Sequence, residues 1–318
     1  MFKTIIQQSI RVNTQRYYAT TPQAFHVFNR DAKRLQKDRA AMNVEESRTV
    51  DYLKDEIAAR VADRLLDINR DFDTVVDLGS GCGHVVKHAT KEMMKKLIMC
   101  DISEKSLNRD VEVPYDVHVE RRVVDEENLP FAENSLDAVV SSLSLNWVND
   151  LPGTLIQIKN SLKPDGVFIG AMFGGDTLFE LRTSLQLAEV ERESGISPRI
   201  SPMADSSDMS RILTRAGFTL TTVDVDEVQV NYPSAFELMQ DLRAMGESNA
   251  VLTRRPFLKR DTLLAAASIY KELHGNPDGS IPATFSVIYL IGWKPSENTP
   301  LPKKRGSANV SLKDTLEG

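Results

Sequence analysis

TVVDLGSGCG, residues 74–83, decides the fold. Its first half is β-branched and apolar, as suits a strand buried on both faces. Its second half sets Gly79, Gly81 and Gly83 at alternate positions, where the missing Cβ lets the backbone turn sharply and approach a ligand. HVVKHATKEMM at 84–94 reads as the helix that follows. A dinucleotide fingerprint needs its third glycine three residues after the second, and here Gly83 comes two after Gly81. No Lys followed by Ser or Thr makes a phosphate loop.

Outward from this unit, LIMCD (97–101), HVERRVV (118–124), LDAVVSS (136–142) and GVFIGAMF (166–173) are short apolar runs separated by helical stretches. That alternation predicts an α/β fold, a mostly parallel sheet with crossover helices on both faces. Upstream, Val50, Leu53, Ile57, Val61, Leu65 and Leu66 recur at spacings of three and four, so residues 22–70 read as N-terminal helices. Downstream the spacing predicts a helix over 177–193, opened by a Thr177/Glu180 capping box, then the loop ISPRISP (196–202) and a short helix ending at Gly217. FTLTTVDVDEVQVNY (218–232) and ATFSVIYLIGW (283–293) read as an antiparallel pair at one sheet edge, with a helical insertion at about 235–275 between them. The main domain is therefore expected over 71–294, and the proline-rich tail 295–318 is expected to be disordered.

About twenty residues after the glycine loop, Asp101 ends the next strand, where its two oxygens can take a pair of ribose hydroxyls. Asp125 and Glu126 end the third strand, where a carboxylate can accept from the exocyclic amino group of a base. Asp77 is expected to fix the loop through backbone donors. A glycine cluster alone is often only a tight turn, and acids at strand ends are often helix caps. Their joint occurrence points to an adenosine-like ligand held by Asp77, Gly79, Ser80, Gly81, Gly83, Asp101, Ile102, Asp125, Glu126 and Ser142.

The 318 residues are 41% hydrophobic and 26% charged, an ordinary soluble composition, and no apolar run reaches the roughly 18 residues of a membrane-spanning helix. Cys82 and Cys100 cannot supply a disulfide framework or a four-ligand zinc site. Residues 1–30 hold Lys3, Arg11, Arg16 and Arg30 with no acid, so the rest of the chain carries 35 basic against 45 acidic residues. Such an acidic body argues against nucleic acid as a partner and against direct attraction to anionic lipid. The segment 1–21, MFKTIIQQSIRVNTQRYYATT, is basic, hydroxylated and acid-free, with Phe2, Ile5, Ile6 and Ile10 on one helical face; it reads as a mitochondrial presequence. KKR at 303–305 reads as a solvated charge run.

DLGSGCG, CDISEKSL and VVDEENLPF together resemble the motif set of class I S-adenosylmethionine methyltransferases, over roughly Asp71–Phe173. The resemblance implies S-adenosylmethionine as cofactor and a seven-stranded sheet closed by an edge hairpin. VFNRDAKRLQKDRAA, SLNWVNDLPGTLIQI, AMFGGDTLFELRTSLQLAE, SPRISPMADSSDM, VNYPSAFELMQDLRAMGESNA and PATFSVIYLIGWKP resemble, over Phe25–Pro295, a narrower family: the mitochondrial complex I assembly factors of the arginine-hydroxylase type, relatives of the malonyl-carrier-protein methyltransferases. That resemblance implies hydroxylation of one arginine on the complex I subunit near the quinone site, in the mitochondrial matrix, with a small twin-cysteine helical assembly partner. Contact with the inner membrane would then run through the assembling complex.

Oxygen insertion into a C–H bond normally needs a metal or flavin. His118 with Glu120, and His84 with His88, have local metal-ligand spacing, but strand alternation explains the first pair and helix packing the second. No metal site is assigned, no residue set names the oxidant, and no catalytic residue is designated. Asn146 and Trp147 follow the fourth strand and are expected to overhang the methionine end of the cofactor, facing substrate. In the insertion, Glu247 and Asn249 are expected to face substrate, Glu247 as a carboxylate for a guanidinium. Arg182 and Arg199 could contact an acidic partner, with surface ion pairing the safer reading. Two rival readings are a methyltransferase acting on a protein or carrier-bound acid, and an assembly chaperone without enzymatic activity.

Overall fold

The structure, a computed structural model, describes residues 26–300 and 305–306. The presequence reading and most of the tail lie outside the described residues. Helices α1 (Arg30–Met42), α2 (Val44–Thr49) and α3 (Tyr52–Leu66) come first. α3 buries Leu53, Ile57, Val61 and Leu65 at four-residue spacing, each removing apolar surface worth roughly 1.5–3 kcal/mol.

The sheet follows: β1 (Phe72–Leu78), β2 (Met94–Asp101), β3 (His118–Val123), β4 (Leu136–Ser142), β5 (Leu162–Phe173), β6 (Thr219–Tyr232) and β7 (Ile281–Trp293). Their spatial order is β3-β2-β1-β4-β5-β7-β6, parallel from β3 to β5, with β7 antiparallel to both β5 and β6. β1 thus lies between β2 and β4, where the winding direction reverses. Ligands of such sheets sit beyond the strands' carboxyl ends at that reversal. The expected edge pair is present, and α8 (Ala235–Ala244) and α9 (Arg260–His274) lie between its strands.

One face of the sheet packs against α3, α6 (Phe179–Glu193) and α9, the other against α5 (Leu151–Ser161) and α7 (Ser206–Ala216), and the short α4 (Glu104–Asn108) joins β2 to β3. α7 is capped by the Asp205 carboxylate at its start. It ends where Gly217, at φ +90°, sends the amide of Phe218 back to the carbonyl of Leu213.

Two local expectations fail. The stretch after the glycine loop forms a single 3₁₀ turn, Val85–His88, because β2 begins at Met94 and leaves too few residues for a crossover helix. The Thr177/Glu180 capping box does not form either. Leu178, at φ +53°, occupies the cap position, the Thr177 hydroxyl donates to the carbonyl of Ser286, and the Glu180 carboxylate accepts from Thr284. Both box members reach across to β7 and fasten α6 to the sheet.

Candidate functional site

The glycine loop leaves β1 with Gly79, Gly81 and Gly83 all at positive φ, between +55° and +88°. It is fastened to the end of β2. The amides of Gly79 and Ser80 donate to the Cys100 carbonyl at 2.7 and 2.9 Å, and that of Gly81 donates to Asp101 Oδ2 at 2.9 Å. Asp101 therefore does the loop-fixing work expected of Asp77. Asp77 is fully buried, and neither of its carboxylate oxygens has a partner among the described residues. Burial, with Asp101 nearby, pushes its carboxyl up to about 8. Ser80 Oγ is likewise buried without a partner.

α1 lies over this loop and lowers two cations onto the strand-end acids and a third onto Glu247. Lys37 Nζ donates to Asp101 Oδ2 at 2.7 Å, and Arg30 pairs with Asp125 at 2.9 Å and with Glu126. Lys33 Nζ meets Glu247 at 2.6 Å and lies 3.6 Å from the centroid of the Trp147 ring. Asp125 is exposed, so the buried Glu126, which also accepts from Ser144 Oγ at 2.8 Å, is the acid that points inward. Under α1 the cleft over the loop holds about 40 Å³; Gly79, Gly81, Ser142, Lys54 and Glu247 line it.

Two observations bear on whether these residues suit S-adenosylmethionine. The orphaned oxygens of Asp77 and Ser80 match donors on a ligand, and Lys37 stands in for hydroxyl donors on Asp101. The residues fit. The stand-in also means that the Lys37 ammonium must leave Asp101 before ribose hydroxyls can take its place. Asp77 supplies a separate test of the empty-handed carboxylate. An acid raised to about 8 favours the folded state progressively less as pH climbs from its ordinary 3.8 to 8, and the penalty is constant above that. Asp77→Asn is therefore expected to raise stability at pH 8 by about 1–3 kcal/mol, with a gain that shrinks towards pH 4, as urea unfolding at a series of pH values would read.

Beside the cleft lies a larger cavity of about 410 Å³, walled by side chains such as Leu181, Met203 and Phe285. Lys54, Met245 and Glu247 line both spaces and form the partition between them. The Glu247 side chain is 7% exposed and accepts from Lys33, from Lys54 at 3.0 Å and from the Trp147 indole N–H at 2.9 Å. Burial alone would raise its carboxyl, but Lys33 and Lys54 bring it down to about 2. Burial also pulls the Lys33 ammonium down against the pull of Glu247. The charged carboxylate is the firmer state of this pair, because three donors converge on it.

Of the residues expected to face substrate, Trp147, Glu247 and Asn249 line the large cavity, whereas Asn146 lines neither space. Asn249 is held by the Pro198 carbonyl and by the Val251 amide. Arg199 is no surface ion-pairing residue: it is largely buried, donates from Nε to Glu189 at 2.6 Å, and lines the cavity. Arg182 donates to the Thr177 carbonyl. The sequence reading missed Arg30, Lys33, Lys37 and Lys54. Asp51, Asp55 and His84 bring ligand-type atoms within 4.8 Å of one another. Their carboxylates are already answered by Arg109 and Lys87, so this is an ion network that ties α3 to the loop. Glu120 is likewise taken up by Lys96 and Arg122.

A parallel sheet reversing at β1, an antiparallel edge pair and a glycine loop facing strand-end acids define a class I methyltransferase fold. In agreement, a family described as a methyltransferase domain matches residues 50–223. A Bacillus halodurans protein assigned as a methyltransferase superposes with a TM-score of 0.53 at 17% identity, covering 74% of this chain and 99% of that one, which speaks for the fold alone. Within that class, the chain belongs to the family of the mitochondrial arginine-hydroxylase NDUFAF5. It is 54% identical to the Danio rerio member over 293 residues, covering 92% of this chain and 90% of the relative, and 53% identical to the Homo sapiens member over 294 residues, covering 92% and 84%. It is also 31% identical, over 79% of its length and 85% of the relative's, to a malonyl-[acyl-carrier protein] O-methyltransferase of Methylovorus. No described helix is long and apolar enough to cross a membrane.

Proposed function

We propose that this protein hydroxylates one arginine of the quinone-proximal subunit of respiratory complex I during assembly. It would act in the mitochondrial matrix beside a small twin-cysteine helical partner, peripheral to the inner membrane. The observation that carries the reading is identity above one half along nine tenths of the chain to proteins named as arginine hydroxylases. The site supports it. A buried, ionised Glu247 at the partition can receive a guanidinium in place of Lys54, which approaches it less closely than Lys33 does, and the apolar walls shield the arginine's methylenes from water.

The same reading assigns S-adenosylmethionine to the glycine loop, with the ribose on Asp101 beside Ile102, the base on Glu126 or Asp125, and the remaining donors on Asp77, Ser80 and Ser142. When bound, the cofactor would bring a sulfonium up to the partition. The chain's own part is to bind, orient and exclude water; Trp147 holds Glu247 in place through its N–H.

A second reading, methyl transfer to a carrier-bound acid, is favoured by the cations Arg199, Arg254 and Arg255 that line the large cavity. Peptide mass spectrometry of the quinone-proximal subunit, from cells with and without this protein, separates the readings. Hydroxylation predicts that one arginine peptide lighter by a single oxygen atom appears in its absence. A methylene lost instead, with cofactor turned over to S-adenosylhomocysteine, would install the methyltransferase. Unchanged peptides in an unassembled complex would leave a chaperone.

A further inference from the structure

The large cavity carries opposite charge at two places. Glu247 stands at the partition shared with the glycine-loop cleft, which makes that the reacting end. Arg199, Arg254 and Arg255 also line it, and the 40% exposed side chain of Arg255 marks where it opens to solvent. With Lys54, the lining holds four cations against the single acid Glu247. A lone guanidinium entering such a space would be matched at the partition and would leave the cations at the other end unanswered. A ligand with a positive group for the partition and a negative group for the mouth would be matched at both.

The cations differ in what already occupies them. Arg255 pairs with Glu193 at 2.6 Å, and Arg199 Nε with Glu189. Arg254 makes no ion pair among the described residues, and its one side-chain hydrogen bond runs from Nη1 to the Val251 carbonyl at 2.9 Å. Arg199 Nη2 is buried without any partner. A buried guanidinium nitrogen left unmatched costs free energy that a bound acceptor would recover. Arg254, next to Arg255 in the chain, thus has donors to spare, and Arg199 keeps one unmatched donor in its largely buried guanidinium.

We propose that this end of the cavity binds a carboxylate, and that the substrate is an arginine flanked in its polypeptide by an acidic residue, the arginine reaching Glu247 while the acid rests on Arg254 and Arg199. The inference rests on the arginine-hydroxylase reading and sharpens it to a substrate class.

The test uses the full chain and nonapeptides centred on one arginine, with Asp or Asn beside it, competed against a fluorescent Asp peptide; a third peptide replaces the arginine by Gln. The Asp peptide is expected to bind about tenfold more tightly than the Asn peptide, the size of one charge-assisted hydrogen bond. Arg254→Gln should bring the two to parity, Arg254→Lys should keep most of the preference, and Arg254→Glu should turn it towards a Lys-flanked peptide. Equal binding of Asp and Asn peptides that still requires the arginine would overturn the proposal and leave the hydroxylase reading standing. Binding indifferent to the arginine itself would remove both. Competition by malonyl pantetheine thioester that depends on Arg254 would hand the cationic end to a carrier-bound acid and overturn the proposal in favour of the second reading.

Discussion

Glu247→Gln is expected to lower stability by about 3–5 kcal/mol, the cost of leaving buried charge without its counter-ion. The carboxylate is the common partner of Lys33, whose side chain is 1% exposed, and of Lys54, and it accepts from the Trp147 N–H as well. Glutamine keeps the shape and an acceptor but strands Lys33 beneath α1, where the Gly246 carbonyl is the one other hydrogen-bond acceptor it reaches. Lys33→Met alone should cost less, because Glu247 retains Lys54 and Trp147. The double variant Lys33→Met, Glu247→Gln should recover part of the loss, since it no longer leaves the buried Lys33 ammonium without its counter-ion. Chemical denaturation of the four proteins closes the cycle, and additive losses would refute the pairing. The pH dependence has a definite sign. Glu247 is brought from 4.5 to about 2, so its contribution is fully present above pH 4.5 and is lost as pH falls towards 2. The double variant also separates structure from function: if Glu247 receives the substrate arginine, hydroxylation stays absent after stability returns.

Why Glu247 was legible and its partner Lys33 was not follows from α1. The residues that α1 buries are Lys33, Lys37 and Ala41, while Leu35 and Met42 of the same helix are exposed. Periodicity looks for an apolar stripe, and a helix whose inward face is cationic offers none. The signal that remains is Arg30, Lys33 and Lys37 at spacings of three and four, which on its own reads as a solvated face. The glycine loop and Asp101 were readable because strand, turn and following acid are fixed by local spacing. The expectation for Asp77 failed because satisfaction of a buried carboxylate depends on which backbone amides the loop turns towards, and these turn to Cys100 and Asp101. The same holds for Thr177 and Glu180. Their sequence spells a cap, but β7 brings Thr284 and Ser286 within reach and takes both side chains. The mostly parallel sheet was legible from the alternation of runs, and the missing helix after the loop was not, because β2 starts three residues before its apolar core.

Gly79→Ala is expected to destabilise by about 2–5 kcal/mol, joining backbone strain of about 1–2 kcal/mol to overpacking of about 1–3 kcal/mol. Gly79 sits at φ +76°, and a Cβ built there would lie 2.1 Å from both Cβ and Oγ of Ser144 and 3.2 Å from Glu126 Oε1. Ser144 is 2% exposed and donates to Glu126 at 2.8 Å, so it has nowhere to go without opening the bond that orients the inward acid. The missing side chain at Gly79 therefore makes room for the protein's own Ser144. Gly81 contrasts with it: its φ is +55°, but a Cβ there meets only the His84 ring, at 3.8 Å. Gly81→Ala should then cost the backbone term alone, about 1–2 kcal/mol. Adding Ser144→Gly to Gly79→Ala should return the steric part of the loss and leave the backbone part. Equal melting temperatures for Gly79→Ala and Gly81→Ala would show that Ser144 yields freely and that the loop is looser than its packing implies. Because Glu126 is anchored by Ser144, Gly79→Ala should also weaken binding of S-adenosylhomocysteine beyond what Gly81→Ala does, a difference calorimetry can read on the folded fraction of each variant.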